Sequence, residues 1–126
     1  MEDEYFVFSP VDRVPPKNKG YKSKSVSMWQ WRDFYNYFSD KHTAVIGPFS
    51  EAPKIVNARK SVIEKSYEAH GKDVFKAMID WVFDNYKDFP QWETVGINLI
   101  CGGHYWARYI ATKAKEQIEV DKKWES

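Results

Sequence analysis

Cys101 and His104 stand three residues apart, with His42 and His70 as the remaining histidines. A thiol and an imidazole at that spacing can share one helix face. They could hold part of a metal site or act as nucleophile and base. A structural zinc site needs four ligands, usually as two closely spaced pairs, and here there is one pair and two isolated histidines. A cysteine hydrolase also needs an orienting group, and no hydrolase signature surrounds Cys101. The sequence contains neither GxxxxGK[ST] nor GxGxxG, so no phosphate-cradling loop for a nucleotide is expected. The expectation is a binding protein without catalysis, metal, cofactor or nucleotide site.

The charges carry more information than the histidines. Net charge is +1, but the signs are segregated. Residues 1–12 hold Glu2, Asp3, Glu4 and Asp12 and no base. Residues 13–24 hold Arg13, Lys17, Lys19, Lys22 and Lys24 and no acid. This basic stretch leads into Trp29 and Trp31, and cations beside rings suit single-stranded nucleic acid. A second basic face, with Lys54, Arg59, Lys60 and Lys65, could meet phosphate backbone. Lysine-rich surface is also ordinary solvated surface, and a pI near 7.8 is low for a dedicated nucleic-acid binder. The acids point toward a protein partner. Asp73, Asp80 and Asp84 share a helix face that could clamp onto a basic groove. Tyr5, Phe6 and Phe8 follow the acidic start and could dock as a short linear motif. A short arm folded back on the domain would use the same residues for packing.

These groups need a scaffold. A chain of 126 residues fits one domain with a single core. Aromatic residues make up 17% of it, which allows a compact core and leaves rings for a binding surface. One cysteine forms no internal disulfide, and the acidic start lacks the pattern of a signal peptide. No apolar run approaches the roughly 18 residues of a membrane span. A cytoplasmic protein is expected, in the host cytoplasm if viral.

The pattern predicts an all-α fold of four or five helices in a compact bundle. An arm over 1–26 precedes a helical domain over 27–120, and a frayed tail covers 121–126. The first helix is predicted from Ser25 or Ser27, with Trp31, Phe34, Tyr35 and Phe38 at helical spacing and an end before Gly47-Pro48. The second runs from a Ser50 cap to about His70, with Gly71 at its C-terminus. The third runs from Lys72 to about Tyr86 on a dense apolar stripe. Residues 87–93 connect it to a fourth helix capped by Thr94. Gly102-Gly103 interrupts that helix before a last one from His104. The tail frays from Glu116, with Trp124 as a possible anchor.

Residues 29–114 resemble small proteins and domains of bacteriophage replication modules. The resemblance rests on Trp31-Arg32-Asp33-Phe34-Tyr35-Asn36-Tyr37-Phe38, on Tyr67-Glu68-Ala69-His70-Gly71-Lys72-Asp73-Val74, and on Met78-Ile79-Asp80-Trp81-Val82-Phe83-Asp84-Asn85. It implies an all-helical accessory protein of phage DNA metabolism, such as a helicase-loader-like or replisome-organising domain. It carries over no catalytic or ligand-binding residue. The partner it implies is DNA, a replication or transcription protein, or both. The second expectation is an inhibitor or adaptor that grips a host enzyme without touching nucleic acid.

Overall fold

The computed structural model describes residues 16–125, and the side chains of 20–124. It is all-α, with no strand among the described residues. The helices are α1 (Trp31–Val45), α2 (Pro53–His70), α3 (Lys72–Asn85), α4 (Ile97–Ile100) and α5 (Tyr105–Glu125). Short 3-10 segments cover Pro16–Ser23, Val26–Met28 and Tyr86–Asp88. No described helix is long and apolar enough to cross a membrane.

The body of the domain begins earlier than the expected boundary at residue 26. The Pro16–Ser23 segment packs against α1 and buries Tyr21. Trp29 adopts an extended backbone, which drives its indole into the core against Tyr21 and Phe34. That extended residue is why α1 starts at Trp31 and not at Ser25 or Ser27. Asp33 then secures the first turn, its Oδ2 accepting the Gln30 N–H at 2.9 Å and the Lys24 ammonium at 3.1 Å.

The start of α2 also differs from expectation. Its cap is Ala52, and Pro53 supplies a preset φ for the first turn. Glu51 is drawn inward, accepting the Tyr35 hydroxyl at 2.8 Å and the Arg59 guanidinium at 2.7 Å. Gly71 ends α2 and opens α3 with φ +94° and ψ 149°, a conformation that a Cβ strains.

Helix α3 is the central element, with Phe75, Met78, Ile79, Val82 and Phe83 buried. It packs on α1 and α2 and makes its largest interface with α5. The α5 side is built from Ala107, Ile110, Ala111 and Ala114, all buried. Three small residues let the two helices approach closely. A second aromatic group fastens the connection after α3: Phe89 stacks on Trp92 at 4.5 Å, and both contact Trp106.

The fourth predicted helix shrinks to one turn, capped by Gly96 and not Thr94. The last helix does not fray from Glu116. Gln117 donates to Asp121 at 3.0 Å, and Lys113–Glu116 and Lys122–Glu119 support the same turns. Trp124 is 85% exposed and anchors nothing in the fold.

Candidate nucleic-acid interface

The thiol and the imidazole near the α5 start serve separate local contacts. Cys101 is buried beside Ser66, and burial pushes its thiol up to about 11. The His104 side chain caps α5: Nδ1 accepts the Ala107 N–H at 3.4 Å while Nε2–H donates to the Asn98 carbonyl at 2.8 Å. Those two bonds fix the tautomer and hold the ring in place. His42 donates Nδ1–H to the Gly47 carbonyl at 2.8 Å and packs among Phe38, Phe49 and Phe83. No group of three His, Cys, Asp or Glu side chains converges among the described residues.

The basic arm loses its stacking ring. Trp29 is 3% exposed, and its indole N–H donates to the Tyr21 and Lys24 carbonyls at 3.2 and 3.3 Å. Burial of that large ring removes it from any surface, which corrects the expectation that it faces nucleic acid. Lys24 is held by Asp33, whereas Lys22 is exposed. Arg13, Tyr5, Phe6 and Phe8 lie outside the described residues, as do the side chains of Lys17 and Lys19.

On α2, Lys54 and Lys60 are exposed, but Arg59 is not a free cation. It pairs with Glu51 and donates to the Asn98 side chain at 3.2 Å, tying α2 to α4. The acidic face of α3 is likewise divided. Asp73 and Asp84 are exposed, whereas Asp80 is held by the Tyr37 hydroxyl, Lys41 and Lys76. Asp80 is therefore a fastener between α1 and α3, its charge already met by two ammonium groups. Asp80 and Asp84 line a groove of about 490 Å³ with Tyr37, Lys41, Trp81 and Asp121.

A different face brings cations and an open ring together. A hollow of about 290 Å³ lies between the end of α2 and the start of α5, lined by Lys65, Ser66, Ala69, His70, Gly102, Gly103 and Arg108. A neighbouring hollow of about 350 Å³ is lined by Tyr105, Arg108, Tyr109, Thr112, Lys113 and Glu116. Arg108 is common to both and has no carboxylate partner among the described residues. Tyr105 is 60% exposed and stacks on Tyr109 at 6.1 Å. Burial, and then the Lys115 ammonium, holds His70 below its ordinary range.

Tyr105 and Tyr109 are four residues apart on α5, a spacing that packing residues also show. The signal that separates them is the stripe of Ala107, Ile110, Ala111 and Ala114, which already satisfies α3 and leaves Tyr105 and Arg108 to the outside. Lys65 lies eleven residues after Lys54, and at 100° per residue the two share one face of α2, about 16 Å apart. Lys60 lies off that line. Comparison with protein-family models, with curated proteins and with solved structures returned no match.

Proposed function

We propose that this chain is a non-enzymatic accessory domain of phage-type DNA metabolism, and that its α2–α5 face binds single-stranded DNA. One observation carries the reading: Arg108 lines both a hollow that also holds Lys65 and His70 and a hollow that also holds the exposed Tyr105. Single strands are held by a charged groove that tracks the backbone and by rings on which bases stack, whatever their sequence. Tyr105 offers the ring, with Lys65, Arg108 and Lys54 as the cations. The buried, neutral Cys101 and the capping role of His104 favour binding over catalysis.

The test is anisotropy of a labelled oligothymidine titrated with protein at ~50 mM and ~200 mM salt. Binding that weakens steeply with salt, and weakens further in Arg108→Ala and Tyr105→Ala, supports the reading. No binding at the lower salt ends it.

A second reading has its own observation. The groove between α1, α3 and α5 combines Asp80, Asp84 and Asp121 with the half-buried Trp81. An inhibitor or adaptor that grips a basic segment of a host enzyme would use that groove. It predicts a complex that survives nuclease treatment and is lost in Asp84→Lys.

A further inference from the structure

We infer that the hollow framed by Lys65, His70, Gly102, Gly103 and Arg108 is a seat for a phosphate group. The inference rests on the single-strand reading for the source of that phosphate. Its chemistry stands on the hollow alone.

Two elements converge there with one sign of charge. Lys65 and His70 come from α2 and Arg108 from α5, and no carboxylate lines the space. The other described hollows differ: one has Asp80, Asp84 and Asp121, another Glu51, and a third Glu116. Beside the two fixed cations Lys65 and Arg108, a third, Lys115, lies close enough to add to the burial that holds His70 below its ordinary range and favours its neutral, hydrogen-bonding form. Like charges gathered without a counter-charge repel, and a bound anion relieves that repulsion. Neither Lys65 nor Arg108 has an ion pair among the described residues, so no internal acid competes for the place.

Part of the lining is backbone, from Gly102 and Gly103. Gly102 holds φ +94°, a region that excludes most side chains, and a Cβ on Gly103 would meet nothing within 4 Å. The Gly102 and Gly103 N–H groups donate to no acceptor among the described residues. Two unspent amide donors beside three cationic or hydrogen-bonding side chains suit a compact tetrahedral oxyanion. A guanidinium can grip such a group through two parallel N–H bonds, as an ammonium cannot. Next to this seat stands the Tyr105 ring, reached along the same Arg108. A nucleotide whose phosphate occupies the seat therefore has a stacking surface for its base.

The experiment is amide and imidazole NMR on the intact chain at fixed pH. The probes are inorganic phosphate, and oligothymidine with either a 5′-phosphate or a 5′-hydroxyl. Phosphate is expected to shift Gly102, Gly103 and His70 together while Lys54 and Lys60 stay still. Gly103→Asp places a carboxylate in open space, so the fold should persist by circular dichroism. It should abolish those shifts and weaken oligothymidine binding by about 10-fold or more, the effect of one lost charge-assisted contact. Arg108→Lys should recover part of the affinity lost in Arg108→Ala. Tighter binding of the 5′-phosphorylated strand assigns the seat to a strand end, and equal binding assigns it to an internal phosphodiester. Shifts spread over every exposed lysine, or an unchanged response in Gly103→Asp, overturn the seat. Oligothymidine binding that persists unchanged in Gly103→Asp sinks the seat and spares the DNA reading. Saturable phosphate binding without oligothymidine binding does the reverse.

Discussion

The Tyr37 hydroxyl donates to the Asp80 carboxylate, joining α1 to α3, and the same carboxylate receives Lys76 at 2.9 Å and Lys41 at 3.4 Å. Two like arrangements occur elsewhere: Tyr21 donates to Asp40, and Tyr35 to Glu51. Three phenols that meet carboxylates thus fasten the outer edges of α1. Asp80→Ala leaves a half-buried hydroxyl and two ammonium groups without their acceptor. It should cost about 1–3 kcal/mol. Asp84→Ala, on an exposed neighbour, should stay within about 0.5 kcal/mol of the parent. Urea unfolding midpoints of the two variants separate the structural acid from the surface acid.

Alkali should unfold this protein. Burial, then the Asp80, Asp40 and Glu51 carboxylates, raises the Tyr37, Tyr21 and Tyr35 hydroxyls above their ordinary 10.0. Burial also raises the Cys101 thiol from 9.0 to about 11. The native state keeps these protons after the unfolded state has lost them. Stability is therefore full below about pH 9 and falls as pH rises through the folded values. Thermal melts between pH 7 and 11 should show a decline beginning near pH 9. A flat profile would contradict the burial of these groups.

The Cys101 thiol should react slowly. At neutral pH it is protonated, and its access is closed by the packing around Ser66. Iodoacetamide should label the native chain far more slowly than the urea-unfolded chain. Fast labelling of the native chain would return Cys101 and His104 to consideration as a catalytic pair.

Fold legibility varied with the kind of signal. The apolar stripe of α3 and the Gly71 break were readable because a 3.6-residue period and a forced φ are local properties. Trp29, Arg59 and Asp80 read as surface groups in the sequence for one shared reason. Each is polar or amphipathic, and each is tied to a partner that helical periodicity does not reveal: Tyr21, Glu51 and Tyr37. The α2–α5 face was illegible because Lys65 and Arg108 lie forty-three residues apart in the sequence and meet only in the fold.

Tyr105 is exposed where Trp29 is buried. Tyr105→Ala should weaken single-strand binding by about 1–3 kcal/mol per stacked base while leaving the melting temperature nearly unchanged. Trp29→Ala should cost about 3–5 kcal/mol of stability, because it empties the site between Tyr21, Phe34 and Tyr37. Anisotropy and calorimetry on both variants separate the two effects. Binding lost in Trp29→Phe with stability intact would restore the arm as the interface.

Gly71→Ala tests the joint between α2 and α3. The residue holds φ +94° and ψ 149° with open space around it, so the penalty is backbone strain and not a clash. A loss of about 1–3 kcal/mol in denaturant titration is expected. A neutral result would mean that the turn can relax to a conformation open to alanine.

The pairing of α3 with α5 sets a timetable for a chain still on the ribosome. Helix α3 is complete at Asn85, twenty residues before α5 begins at Tyr105, and α5 makes its largest interface. At 5–20 residues per second, α3 waits about 1–5 s with an apolar flank unsheltered. Released chains truncated before Tyr105 should therefore engage holdase chaperones, and chains that run past Lys115 should let go of them.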